Sequence, residues 1–255
     1  MIEAFKIQAP LNLKGDCLVD LIPEGRTYES IVVFVHGQPG SKDSWSAVIS
    51  RLSGLNQRLV VYDRPGWGGN DQDARSIQGN AQYLANLLEV LPKEKPVVLV
   101  GHSLGAAISI VAATMTSDRV RKVIAVAPAF NSDAVVKLDA IIALPYIGSG
   151  LSKLTLDVYK RQMGLAHWGG SSARSFYLEQ SWLLKELRSL DIAVTQFEGE
   201  LSVLYALDDA VVPIRSIVAA LRRSPMSRVD VLGSGGHDLL RTRASSVAYF
   251  LATLL

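Results

Sequence analysis

The stretch that most constrains this chain runs from Val97 to Met115, VVLVGHSLGAAISIVAATM. Its first four residues are the β-branched and aliphatic kind that form a short strand buried on both faces. Its last twelve are small and aliphatic residues that read as a buried helix. The two halves meet at Gly101-His102-Ser103-Leu104-Gly105. The run is almost long enough to cross a bilayer, but glycines, a histidine and a serine stand near its middle. A buried strand, a tight turn and a buried helix fit that pattern better than a spanning helix.

The rest of the chain repeats the alternation. Continuous apolar runs at 31–35 (IVVFV), 59–62 (LVVY), 122–126 (KVIAV), 201–206 (LSVLYA) and 228–232 (RVDVL) predict further strands covered on both faces. Shorter strands are predicted at 3–9 and 16–22 around Gly15. Between them lie helical spacings at 43–53, after Ser41 as N-cap, and at 76–91, 104–116, 214–222 and 242–254. Strand–helix alternation implies right-handed crossovers and a mostly parallel, doubly wound α/β sheet. From about Asn131 to Thr195 no strand run occurs. Helical pieces near 133–143, 151–163 and 173–189 are separated by Pro145, Gly148, Gly150 and the 169–172 GGSS turn. The reading is therefore a core over 1–130 and 196–255 with a helical insertion over 131–195.

Composition limits what such a chain does. Apolar residues make up 49% and charged residues 20%, which suits a well-buried core and not a disordered chain. The 26 basic and 24 acidic residues leave a net charge of +2, so there is no basic field for nucleic acid. The one cysteine, Cys17, is read as a half-buried strand residue; it allows neither an internal disulfide nor a cysteine zinc site. No secretory signal pattern and no membrane span is read in the chain, and a reducing cytoplasm suits it. Oligomeric state is not legible.

A serine between that strand and that helix is where a nucleophile is needed. The G-x-S-x-G turn is tight enough to strain the serine backbone, and the flanking glycines make room where strand and helix crowd. Ser103 Oγ then stands at the sheet edge beside a helix N-terminus, which favours negative charge. A base has to reach it from another loop on the same edge. Of the four histidines, His237 follows the strand at 228–232 through GSGG. His36 reads as structural, His102 as packing beside the turn, and His167 as part of the insertion. The acid that orients the base is Asp209, with Asp208 and then Asp133 as the alternatives. Gly37 and Gly40 let the HGQPG loop at 36–40 fold close to Ser103. The backbone N–H groups of Gln38 and Leu104 are then the candidates to hold an oxyanion. Asp63 and Arg64 in the DRPGWGGND loop at 63–71 are expected to serve loop geometry.

Together HGQPG at 36–40, DRPGWGGND at 63–71, GHSLGA at 101–106, DDAVVP at 208–213 and GGHD at 235–238 resemble the α/β-hydrolase superfamily over nearly the whole chain. The resemblance is to its serine-nucleophile, capped branch of esterases and proline iminopeptidases. In that family the acid usually stands four residues before the proline of D-x-x-V-P, which corresponds to Asp209 before Pro213. The family often has glycine three residues before that acid, where this chain has Ala206. The resemblance implies an α/β-hydrolase fold and a cap over the site. It also implies cleavage of a small ester-like molecule, a carboxylic ester, thioester or lactone, through an acyl-enzyme. No metal or organic cofactor is required. Trp67, Tyr146, Trp168, Phe176 and Trp182 are the candidate pocket residues. Two other readings use the same fold. One is a C–C bond hydrolase, lyase or biosynthetic cyclase; the other is a small-molecule receptor that retains the three residues.

Overall fold

The computed structural model describes residues 17–23, 27–52, 55–130, 171–222 and 227–255. The predicted strand at 3–9 and helices at 133–143 and 151–163 lie outside them. Seven strands form one sheet in the order β1-β3-β2-β4-β5-β6-β7. They are β1 (Leu18–Leu21), β2 (Ser30–Val35), β3 (Gln57–Tyr62), β4 (Val97–His102), β5 (Val120–Val126), β6 (Glu200–Ala206) and β7 (Ser227–Leu232). β1 pairs antiparallel with β3, and every other pairing is parallel.

The helices are α1 (Ser46–Ile49), α2 (Ile77–Glu89), α3 (Leu104–Met115), α4 (Ser171–Gln196), α5 (Ile214–Leu221), α6 (Leu239–Thr242) and α7 (Ala244–Ala252). Three differ from the sequence reading, the first being α4, which starts at Ser171 inside the expected 169–172 turn and runs on to Gln196 where a helix over 173–189 is expected. The stretch expected to be helical over 43–53 is a 3-10 turn over Lys42–Trp45 followed by α1, entered through Ser41, whose hydroxyl accepts from Asp43 N–H at 3.2 Å. The stretch expected over 242–254 splits in two, because Arg243 leaves helical geometry with φ −134° and ψ 34°.

Double-sided burial explains the uninterrupted apolar runs. Along β2, Ile31, Val33 and Val35 enter one core with α2, α3 and α4, while Val32 and Phe34 enter a second with Trp45, Val48 and the buried side of α7. Side chains alternate across a strand, so a strand covered twice has no polar position to spare. Fully burying such a side chain contributes about 1.5–3 kcal/mol. Leu183, Leu187, Leu190 and Val194 recur at helical spacing along α4 and sink into the first core. Cys17 is fully buried, at 1% exposure, rather than half-buried; it precedes β1, and its carbonyl accepts from Asp63 N–H at 2.7 Å. The edge strand β1 is fastened by a buried ion pair, with Arg58 Nε 2.8 Å from Asp20 Oδ1. No helix among the described residues is long and apolar enough to cross a membrane.

Candidate active site

Parallel strands deliver their following loops to one edge of the sheet, and Ser103, Asp209 and His237 meet there. Ser103 follows β4 with φ 52° and ψ −119°, a left-handed conformation rare for a residue with a side chain. Two glycines make this turn possible. A Cβ at Gly101 would stand 2.5 Å from the backbone of Ala106, and one at Gly105 would stand 2.2 Å from Val35 O. The backbone strain is held by long-range pairing, with Ser103 N–H donating to Val126 O at 3.0 Å.

His237 Nε2 lies 2.8 Å from Ser103 Oγ, and its Nδ1 lies 2.9 Å from Asp209 Oδ2. The other carboxylate oxygen, Oδ1, accepts the N–H groups of Val211 and Val212, each at 2.9 Å. Burial pushes the Asp209 carboxyl up, but His237 and these two N–H donors outweigh it and hold the group below the usual carboxylate range. Asp208, the second candidate acid, points elsewhere. It accepts the N–H groups of Gly235 and Gly236 at 3.1 and 2.8 Å, and so ties down the loop that carries His237. Those two donors hold its carboxyl below the usual range. Asp133, the third candidate, lies outside the described residues, as does His167.

The loop after β2 presses against the serine. A Cβ at Gly37 would meet His102 Nδ1 at 3.0 Å and Ser103 Cβ at 3.1 Å, so a side chain here would push on the serine turn. The Gln38 side chain is held by α4, donating to Phe176 O at 3.2 Å and accepting from Gln180 Nε2 at 3.3 Å. Leu104 opens α3, where backbone N–H groups have no partner within the helix.

Three residues carry more than the sequence reading assigned. His102, taken for packing, places Nε2 3.0 Å from His237 O. A carbonyl only accepts, so that nitrogen carries the proton. Burial, followed by the nearby His237, lowers its pKa to about 4 and keeps the ring neutral. Arg64 donates from Nε to His36 O at 3.1 Å and from Nη2 to Gly37 O at 3.0 Å. Glu179 of α4 pairs with Arg64 Nη1 and accepts Trp67 Nε1–H at 3.0 Å. Nothing in the sequence marks Glu179, because its partners come from a loop 115 positions away.

His36 has its Nε2 accepting from Arg64 N–H at 3.0 Å, so its Nδ1–H donates to Gly37 O at 2.9 Å. Burial and then Arg64 lower its pKa well below the usual value. Asp63 accepts Lys42 N–H at 2.6 Å, which ties its loop to the segment after β2, and Gly69 N–H at 2.8 Å, which closes its own loop. Among the aromatic positions, Trp67 is 1% and Phe176 3% exposed, and Trp182 is partly exposed. Tyr146 and Trp168 lie outside the described residues. No group of three or more histidine, cysteine, aspartate or glutamate residues able to hold a metal ion occurs among the described residues.

Comparison with known proteins agrees with this architecture. The family model described as "Alpha/beta hydrolase family" matches residues 32–248. A monoglyceride lipase homolog of monkeypox virus is 28% identical over 139 residues, 52% of this chain and 50% of that protein. The chain thus spans about half the length of that relative. A meta-cleavage product hydrolase from Pseudomonas fluorescens superposes with a TM-score of 0.73 at 19% identity, covering 92% of each chain. A lipase-esterase related protein from Clostridium acetobutylicum superposes at 0.72 and 17% identity, covering 93% of this chain and 98% of its own. At these identities the likeness is one of fold.

Proposed function

Because the chain belongs to the alpha/beta hydrolase family, we propose that it is a serine hydrolase acting on a small ester-like molecule. The observation that carries the reading is the unbroken hydrogen-bonded line from Ser103 Oγ through His237 to Asp209. In the proposed reaction His237 takes the Ser103 proton as Oγ attacks the carbonyl carbon of an ester, thioester or lactone. The oxyanion rests on the N–H groups of Gln38 and Leu104. Collapse of the tetrahedral intermediate expels the leaving group, which takes its proton from His237, and leaves an acyl-enzyme. His237 then deprotonates water to hydrolyse it. Asp209 stays ionised throughout and stabilises the imidazolium, a role supported by its lowered pKa. General base catalysis contributes ~10²–10⁴-fold, and an oxyanion donor ~10²–10³-fold.

The pocket is assigned to Trp67, Phe176 and Trp182 together with Tyr146 and Trp168 of the 131–195 insertion. The ties from Gln38 to Phe176 and Gln180 support a cap that borders the oxyanion loop.

The test is turnover of p-nitrophenyl esters of graded acyl length by wild type and Ser103→Ala, with fluorophosphonate labelling of both. Turnover by wild type alone is expected, with labelling at Ser103. Labelling without ester turnover would keep the nucleophile and move the reaction to another class. Absence of labelling in folded wild type would overturn the proposal.

A further inference from the structure

The sheet ends at β7, which among the described residues pairs with β6 alone. Edge strands are templates for further pairing and are usually blunted by charged side chains, lysine above all, by proline, by a bulge or by a cover. β7 has neither lysine nor proline, its two charges, Arg228 and Asp230, are of opposite sign and paired with each other, and its register with β6 is unbroken from Ser227 to Leu232. Two of its apolar residues face solvent, Val229 at 39% and Val231 at 50% exposure, while Leu232 packs half-buried against the second core. Leu232 O accepts Leu207 N–H at 2.9 Å, so the peptide groups of Leu232 point toward β6. Peptide direction alternates along a strand, so Arg228 and Asp230 also point inward. Val229 and Val231 then carry their N–H and C=O groups outward.

We propose that β7 pairs antiparallel with β7 of a second copy about a two-fold axis through Val229, joining both sheets into one. The charges select this register. Arg228 and Asp230 lie on one face of the strand, with Nε–Oδ2 at 2.7 Å and Nη2–Oδ1 at 3.1 Å. The Arg228 guanidinium also sits 5.9 Å from the Phe250 ring centre. An axis through Val229 sets Arg228 of each copy opposite Asp230 of the other, at a position without cross-strand hydrogen bonds, where side chains approach closest. Moving the axis by one residue sets Arg228 against itself or Asp230 against itself, and like charges directly opposite destabilise a sheet. The Val229 axis also brings the outward peptide groups of the two valines together as a hydrogen-bonded pair.

A six-residue strand is small beside the ~800 Å² per partner of a stable interface. The surroundings supply more apolar surface. Tyr249 of α7 is 75% exposed and shares a cavity of about 450 Å³ with Arg228, Asp230 and Val231. The helix that leads into β7, α5, exposes Ile214 and Val218. The pairing is isologous and closed, so it ends at the dimer.

Sedimentation velocity over a dilution series tests this with wild type, Val229→Lys, Arg228→Asp and the charge-swapped double variant R228D/D230R. Wild type is expected to be dimeric. Each single variant is expected to raise the dissociation concentration at least about tenfold, with an unchanged circular dichroism spectrum showing that it is folded. The double variant is expected to return to dimer, because opposite charges again face each other. A monomeric wild type, a dimer unaffected by folded Val229→Lys or Arg228→Asp, or a swap that fails to restore association would each overturn the proposal.

Discussion

Arg64 and Glu179 form an ion pair with 0% and 2% of their side chains exposed, directly beneath the loop that approaches Ser103. The guanidinium spends its remaining donors on the carbonyls of His36 and Gly37, and Glu179 also takes the Trp67 indole N–H. One pair therefore joins the loop after β2, the loop after β3 and helix α4. A buried charge without its partner is costly, whereas an apolar pair of similar size is tolerated. Arg64→Met is expected to destabilise the fold by about 3–5 kcal/mol. The double variant R64M/E179L is expected to recover much of that loss. Urea unfolding of the single and double variants measures the coupling; strict additivity would contradict a direct pairing.

Two adjacent carboxylates do different work. Asp209→Asn leaves His237 without an anionic partner at Nδ1 and is expected to lower kcat by ~10⁴-fold. Asp208→Asn loosens only the 235–236 turn and is expected to lower it by less than about tenfold. Ester kinetics on both variants separates them. Equal losses would contradict the assignment of Asp209 as the acid.

His102 Nε2–H donates to the His237 carbonyl, so His102 is expected to position the proposed base. His102→Leu removes that donor, worth about 0.5–1.5 kcal/mol for an ordinary hydrogen bond. The expected result is a kcat lowered by roughly 3–10-fold with KM nearly unchanged. His102→Gln retains an N–H donor and is expected to restore most of the rate. If the Gln variant behaves like Leu, packing alone is the role of this ring.

The same ring makes stability depend on pH. Its folded pKa of about 4 lies below the ordinary histidine value of 6.5. Between those values the unfolded chain binds the proton and the folded chain does not, so stability falls as pH drops from about 6.5 to about 4. Asp209, also lowered on folding, contributes stability above the ordinary carboxylate pKa and loses it as pH falls through its own lower value. Urea midpoints across this range are expected to decline on acidification, with a shallower slope between about 6.5 and about 4 in His102→Gln. An unchanged slope would mean that His102 titrates alike in both states.

Much of the architecture is carried by neighbours in sequence. Uninterrupted β-branched runs specify strands covered on both faces, and Gly101, Ser103 and Gly105 specify a turn that few other residues could adopt. Periodicity and turn chemistry are local properties, so the alternation of strands and helices and the nucleophile position are legible without coordinates. Boundaries were less so: the C-terminal helix breaks at Arg243, and the helix expected at 43–53 shortens. Those ends depend on packing, which the local pattern does not encode.

The sequence favours Asp209 as the partner of His237, but the tertiary structure decided between it and Asp208 and chose the partners of the other buried charges. Asp208 and Asp209 have nearly the same sequence surroundings. The chain turns one carboxylate to the Gly235 and Gly236 amides and the other to His237. Glu179 becomes a partner of Arg64 because α4 crosses the loop after β3. The sequence by itself determined the strand order's raw material, the strained serine turn and the choice among residue types. Direction and partnership of the buried charges came from the fold, because an ionised group excluded from water must find its counter-charge wherever the packed chain presents it.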